Sequence, residues 1–287
     1  MIGVFDSGFG GLTILRAIRQ VLPQYDYLYL GDNARAPYGT RSFEVVYEYT
    51  WQAVRYLFSQ GCTLVVLACN TASAKALRSI QQINLPSVWA QENRGDDHVP
   101  GLHRVLGVIR PTVEVIGNHT HTAHVGVLAT EGTVQSMSYP MEIAKLYPHI
   151  QITQQACPMW VPLIEQGEAE TLGADYFVKK YLDSLFSRDA LIDTLLLGCT
   201  HYPLLLNKIN AYLDTIPVWH ERKGRVLTQG TIVAQSLRDY LSRHPELEQT
   251  CTQNGTVSYL TTESASRFAA SASLFVGESV TAQHIEL

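Results

Sequence analysis

Two cysteines occupy matching places in two similar stretches of this sequence. Val65-Val66-Leu67-Ala68-Cys69-Asn70-Thr71 and Leu195-Leu196-Leu197-Gly198-Cys199-Thr200-His201 each pass from an apolar run through a small residue to a thiol and then to polar side chains. An apolar run of this length, bounded by a turn, reads as a buried parallel strand. Open α/β sheets hold their ligands just past the carboxyl ends of such strands. Each thiol is therefore expected at a strand end, beside hydroxyl, amide or imidazole groups. Two equivalent thiols facing one cleft suit a reaction that takes a proton from one face of a carbon and returns one to the other. A thiol works as acid and base near neutrality only if its pKa is brought down from about 8.5. A helix N-terminus after each cysteine would do this. His201 lies two residues past Cys199, and Asp6 lies on a strand expected beside the Cys69 strand. Glu165 ends the apolar segment Val161-Pro162-Leu163-Ile164 and offers a further carboxylate, although taken alone it reads as a surface helix residue.

The elements that must position these groups follow from periodicity. Residues 2–5 form a short apolar strand, Asp6-Ser7-Gly8-Phe9-Gly10-Gly11 a glycine-rich turn, and residues 12–22 a helix stopped by Pro23. A strand at 27–30 leads into Gly31-Asp32-Asn33-Ala34-Arg35-Ala36-Pro37-Tyr38-Gly39. A helix at 42–60, a strand at 64–68 and a helix at 73–83 closed by Pro86 follow. Strands alternating with helices imply βαβ units and a mostly parallel sheet. The pattern then restarts, with a strand at 105–109 ending at Pro111. Val125-Gly126-Val127-Leu128-Ala129-Thr130, followed by a glycine turn at Gly132-Thr133, resembles Ile2-Gly3-Val4-Phe5-Asp6-Ser7. Ser7 precedes Cys69 by 62 residues and Thr130 precedes Cys199 by 69. The expected fold is α/β: two pseudo-symmetric lobes, each a mostly parallel sheet flanked by helices, with the active site in the cleft between them. Residues 1–107 and 206–287 would form the first lobe and 108–205 the second. The polar segment 91–104 reads as a surface loop. The histidine-rich run 119–124 reads as a solvated stretch before a strand rather than a metal site.

Composition narrows the class. The chain has 287 residues, 46% apolar and only 16% charged, enough apolar material for a sizeable core. A net charge of −5 gives no electrostatic reason to expect nucleic acid or an anionic membrane as partner. No apolar run reaches the roughly 18 residues that span a bilayer. The amino terminus lacks the basic and apolar regions of a signal peptide and runs directly into the first strand. A cytoplasmic protein without an N-terminal regulatory extension is expected. Five cysteines, an odd number with no CxxC spacing, argue against a disulfide framework or a zinc site. Cys62, Cys157 and Cys251 read as small buried hydrophobes. Gly8, Gly10 and Gly11 do not make a dinucleotide fingerprint, and no phosphate-binding GxxxxGK[ST] loop occurs.

Taken together, the Asp6–Gly11 turn, the Gly31–Gly39 turn, Ala68-Cys69-Asn70-Thr71-Ala72-Ser73, Ala156-Cys157-Pro158 with 161–165, and Gly198-Cys199-Thr200-His201-Tyr202-Pro203 resemble the ordered signatures of the glutamate racemases. Tyr259-Leu260-Thr261-Thr262 with Arg267-Phe268 resembles that family's C-terminal stretch, so the likeness covers most of the chain. It implies a racemase that needs no cofactor and no metal, with glutamate as its small-molecule substrate. Cys69 would take the proton from D-glutamate and Cys199 from L-glutamate. Asp6 would assist Cys69, while His201 and Glu165 would assist Cys199. Asp6, Ser7, Pro37, Tyr38, Gly39, Cys69, Asn70, Thr71, Thr130, Thr133, Cys199, Thr200 and His201 match substrate-holding positions. The product D-glutamate would feed peptidoglycan synthesis, and a homodimer is expected.

The chain departs from that pattern in its longer polar segment at 91–104, in Arg110-Pro111-Thr112 where an acidic residue often stands, and in its histidine tract. Two rival readings are an aspartate or hydantoin racemase of the same superfamily and a non-catalytic two-lobed amino-acid-binding protein. His201 favours glutamate over aspartate, for which a glutamate residue would be expected there. Two thiols with acidic and imidazole neighbours argue against a mere binding protein.

Overall fold

The computed structural model describes residues 1–92 and 102–287. Ten strands carry the fold: β1 (Ile2–Asp6), β2 (Tyr27–Gly31), β3 (Leu64–Leu67), β4 (Arg104–Gly107), β5 (His124–Ala129), β6 (Gln151–Ala156), β7 (Thr194–Gly198), β8 (Arg225–Leu227), β9 (Val257–Thr261) and β10 (Ala282–His284). They form a six-stranded sheet, β10-β9-β2-β1-β3-β4, and a four-stranded sheet, β6-β5-β7-β8. Every pairing is parallel. The order β2-β1-β3-β4 is repeated as β6-β5-β7-β8, so the internal likeness in the sequence is a likeness of topology. β1, β2, β3 and β7 are buried along their whole length, as continuous aliphatic and aromatic runs covered on both faces must be.

Helices supply the cover. In Gly11–Val21 the buried residues Leu12, Ile14, Leu15 and Ile18 recur at helical spacing. In Leu172–Arg188 the buried set is Ala174, Val178, Tyr181, Leu182 and Leu185. Ser42 starts Phe43–Ser59 by accepting the Val45 N–H. Among the described residues no helix is long and apolar enough to cross a membrane.

The chain divides into two compact units, residues 1–108 with 230–287 and residues 109–229. The second unit thus holds the chain to Gln229, not to 205 as the sequence suggested. The reason is β8, a short strand that hydrogen-bonds beside β7 and completes the second sheet. Two prolines also act differently from expectation. Pro86 does not close a helix: a π-helical turn, Ile80–Asn84, with the Leu85 N–H reaching back to the Ile80 carbonyl, carries the chain into the helix Leu85–Glu92 that contains Pro86. Pro111 lies in the first turn of the helix Ile109–Ile116, and the strand before it stops at Gly107. The expected glycine turn at Gly132 is the start of a short helix, Glu131–Gln135. The expected loop at 91–104 falls largely outside the described residues. Gln91 and Glu92 end a helix and Arg104 opens β4.

The histidine tract leads into β5 with His121 exposed and the rest partly exposed, and it is tied down by two carboxylates. Asp193, buried just before β7, accepts the Thr120 hydroxyl at 2.6 Å and the N–H groups of His121 and Thr122 at 2.6 and 2.9 Å. His124 Nδ1 lies 2.9 Å from Asp189. Asp26 does the same work in the first unit. It accepts the N–H and hydroxyl of Thr256 at 2.9 and 2.6 Å and the N–H and Nδ2 of Asn254 at 3.2 and 2.7 Å. Hydrogen bonds from Thr252 and Thr256, with those of Asn254, hold its carboxyl far below the usual range against the opposing effect of burial. Such a group adds stability above its unfolded pKa, near 4, and loses it as pH falls toward the folded value. Asp26→Asn should therefore unfold at lower urea than the parent at pH 7, with a smaller gap at pH 3. Urea midpoints at the two pH values check this, and a gap independent of pH would contradict it.

Candidate active site

In the first unit β1 and β3 are direct neighbours, with Phe5 opposite Leu67. Asp6-Ser7 and Ala68-Cys69 therefore leave the same edge of the sheet side by side. Ser7 Oγ lies 3.4 Å from Cys69 Sγ. Cys69 is the N-cap of the helix Asn70–Lys75, and its sulfur accepts the Ala72 N–H at 3.5 Å. Asn70 and Thr71, both buried, open that helix. Asp6 is buried and accepts the Gly8 N–H at 2.9 Å, and the buried Tyr29 hydroxyl donates to the Gly8 carbonyl at 2.8 Å. These two contacts fix the turn after β1. Gly11 makes room for Asp6, since a Cβ at that position would stand 2.5 Å from the Asp6 Cβ.

The turn Tyr38–Thr40, with Pro37 before it, packs against the helix Asn70–Lys75. Lys75 Nζ ties the two together through the Arg41 carbonyl at 2.6 Å. The Tyr38 hydroxyl is engaged in a very short hydrogen bond to Asp32, so Pro37, Tyr38 and Gly39 would meet a ligand mainly through their backbone. Burial first, and then the Asp32 charge and hydrogen bond, push the Tyr38 phenol far up, which keeps it protonated. Asp32, fully buried, also accepts Arg35 Nε at 2.7 Å and the Thr262 hydroxyl at 2.8 Å. No local pattern in the residues signals these contacts. Asp32 was visible only as part of a turn, and Thr262 reaches it from 230 residues away.

In the second unit β5 and β7 are neighbours, with Ala129 opposite Gly198, so Thr130 and Cys199 also leave one edge together. Thr130 caps the helix Glu131–Gln135 by accepting the Thr133 N–H at 3.3 Å, and its hydroxyl donates to that of Thr133 at 3.1 Å. Cys199, Thr200 and His201 are all buried. Cys199 is followed by a 3-10 turn, Tyr202–Leu205, in place of the α-helix N-terminus expected from the sequence. What Cys199 has instead is an imidazole. His201 Nδ1 lies 4.0 Å from Cys199 Sγ, and its Nε2 lies 3.0 Å from Glu165 Oε1. Glu165 is the last residue of the helix Trp160–Glu165 and keeps 27% of its side chain exposed. Burial favours the neutral ring of His201, but hydrogen bonds and charge from Cys199 and Glu165 outweigh it and lift the pKa to about 10. An imidazolium set there is an electrostatic partner for a negatively charged sulfur. Behind it, the Tyr202 hydroxyl donates to the Cys157 carbonyl at 3.1 Å and Trp160 packs edge-on against Tyr202.

The other three thiols are inert by environment. Burial pushes Cys62 up to about 11 and also raises Cys251, while Cys157 lies well above the ordinary thiol range. All five cysteines are free thiols. The structure thus gathers Asp6, Ser7, Cys69, Asn70 and Thr71 at one sheet edge, with residues 37–39 on the adjoining turn. It gathers Thr130, Thr133, Cys199, Thr200, His201 and Glu165 at the edge of the other sheet.

A sequence model of Asp/Glu/Hydantoin racemases matches residues 12–220 of this chain. The chain belongs to the Asp/Glu/Hydantoin racemase family. A glutamate racemase of Ruegeria sp. is 37% identical over 98% of both chains. One from Geobacter metallireducens is 39% identical over 86% of this chain and 84% of its own. Among solved structures, a glutamate racemase isoform from Bacillus anthracis superposes with a TM-score of 0.83 at 31% identity, covering 100% of this chain and 97% of its own. A Francisella tularensis glutamate racemase in complex with D-glutamate gives 0.82 at 29% identity, covering 99% and 97%. The aspartate racemase of Picrophilus torridus shares the fold alone, at 18% identity and a TM-score of 0.51, covering 84% of this chain and 94% of its own.

In this family member the His201–Glu165 pair makes a spectroscopic prediction. A histidine raised from 6.5 to about 10 contributes stability that is fully present below 6.5 and lost as pH rises through 10. In nitrogen-resolved NMR the His201 ring should stay protonated at pH 8, and Glu165→Gln should move its titration downward. A His201 that titrates near 6.5 in the parent protein would contradict this geometry.

Proposed function

We propose that this racemase interconverts L- and D-glutamate with two thiols as its acid and base and no cofactor or metal. The observation that carries the reading is the repeated strand-end thiol. Cys69 follows β3 and Cys199 follows β7, and each strand pairs with one, β1 or β5, whose next residues carry a hydroxyl, Ser7 or Thr130. The glutamate racemases that match over nearly the whole chain support glutamate as the substrate. In the D-to-L direction the Cys69 thiolate takes the Cα proton, and the electron pair left on Cα spreads toward the α-carboxylate. The Cys199 thiol then delivers its own proton to the opposite face. The L-to-D direction begins at Cys199. Asp6 assists Cys69. His201, held charged by Glu165, assists Cys199. Ser7, Asn70, Thr71, Thr130, Thr133, Thr200 and the backbone of 37–39 offer donors and acceptors suited to two carboxylates and an ammonium. The enzyme would act in the cytoplasm, as a homodimer, to supply D-glutamate for peptidoglycan synthesis.

Polarimetry on purified protein without additives tests the reading. Cys69→Ala and Cys199→Ala should each lower racemisation by about 10³-fold or more, since one positioned acid–base group contributes roughly 10²–10⁴-fold. Cys62→Ala and Cys251→Ala should stay near the parent rate. L-aspartate should be turned over less efficiently by at least about tenfold. Shortening the chain by one methylene leaves polar groups of a fitted site unpaired, at a cost of about 1–3 kcal/mol. Equal kcat/KM for the two amino acids, or near-normal rates in either active-site variant, would overturn the proposal.

A further inference from the structure

We infer that Gln229 is a positioning residue for Cys199, acting through Tyr139 and Gly198. This inference deepens the two-thiol reading and rests on it. Gln229 is the last residue of the second unit and Thr112 lies in the helix that opens it, Ile109–Ile116. The Gln229 side-chain amide donates to the Thr112 hydroxyl at 2.9 Å and to the Tyr139 hydroxyl at 3.0 Å. All three side chains are buried, two of them completely. The segments by which the chain enters and leaves this unit are therefore pinned to each other and to Tyr139, from the helix Ser138–Leu146. The Tyr139 ring lies beside Gly198. A Cβ on Gly198 would stand 3.2 Å from the Tyr139 ring, 3.2 Å from the Leu128 carbonyl and 3.4 Å from the Ala129 Cβ. Gly198 thus lies between β5 and an aromatic ring with little room for even a methyl group, and Cys199 is the next residue.

A buried amide with two hydrogen bonds holds an aromatic ring more tightly than packing alone. Movement of Gly198 by a fraction of an ångström alters how the Cys199 sulfur faces His201, and a misplacement near 1 Å in a catalytic group can cost about 10²-fold. The charge of Cys199 is also felt at Tyr139, Tyr202, Cys157 and His201, so these four groups form its electrostatic surroundings within the unit. Gln229 is neutral and changes none of their charges directly. Its removal acts through geometry.

The test compares Gln229→Met, which keeps the volume and removes both donors, with Tyr139→Phe, which keeps the ring and removes the shared hydroxyl. Iodoacetamide alkylation at Cys69 and Cys199 is followed separately by mass spectrometry across pH 6–10, with kcat and KM measured in parallel. Both variants should slow Cys199 alkylation, since a displaced sulfur loses its contact with His201. Cys69 should react as in the parent, and kcat should fall by about tenfold. The double variant should be no worse than Gln229→Met alone, because that substitution already removes the hydrogen bond lost in Tyr139→Phe. An unchanged Cys199 alkylation rate, equal slowing at both thiols, or additive losses in the double variant would overturn the positioning role. Alkylation is read without turnover, so a failure here is distinct from a failure of the two-thiol mechanism, which the cysteine variants decide.

Discussion

Parallel strands paired in register finish at the same edge of their sheet, and the chemistry proposed for this protein depends on that constraint. In the first unit it sets Asp6-Ser7 against Ala68-Cys69, and in the second Thr130 against Cys199. No long loop has to find the thiol. The residue after the central strand and the residue after its neighbour emerge together because the backbone hydrogen bonds between them are already made. A short side chain such as serine or threonine is enough to reach across, as the 3.4 Å between Ser7 and Cys69 shows. The same strand order in both sheets means that one local solution is used twice.

Around that edge, charge is buried only where it is answered. Asp32 is fully buried with Arg35, Tyr38 and Thr262 on its oxygens. At the opposite, amino end of β7, Asp193 is closed by Thr120 and two backbone N–H groups. His201 is buried between a thiol and a carboxylate that together keep it protonated. Removing one partner from such a group leaves a desolvated charge, which costs more than the contact itself contributes. These clusters therefore hold the surrounding turns in one arrangement. The two thiol sites differ in how they do this. Cys69 relies on a helix N–H and a serine, whereas Cys199 relies on an imidazolium.

Much of this was legible in the residues. The apolar runs at 64–67 and 194–198 are strands with a thiol beyond each, and the small and polar residues that follow stand where ligands are bound in such sheets. The groups Asp6, Ser7 and Cys69, and separately Cys199, His201 and Glu165, do come together. Local patterns failed where a distant partner decided the outcome. Pro86 and Pro111 carry a stop signal, but Pro111 lies in the first turn of a helix, where no N–H is needed, and Pro86 follows a π-helical turn that carries the chain on. Residues 206–229 show no new glycine turn, yet β8 binds them to the second sheet through a strand 31 residues upstream. The Asp32–Thr262 contact and the Gln229 amide link residues separated by 230 and by 90 to 117 positions, and no local periodicity encodes such pairs.

The central claim is that two different thiols serve the two faces of Cα, and the fate of the proton tests it most directly. L-glutamate is incubated with the enzyme in D₂O and the reaction is stopped early, and both enantiomers are separated and examined by NMR at Cα. With two bases, the proton removed from L-glutamate stays on one thiol while the other delivers a deuteron already exchanged from solvent. Newly formed D-glutamate should then carry deuterium at Cα and the remaining L-glutamate almost none. Early deuterium in the L-glutamate pool, or protium retained at Cα of the D-glutamate product, would mean that a single base works on both faces and would contradict the two-thiol mechanism.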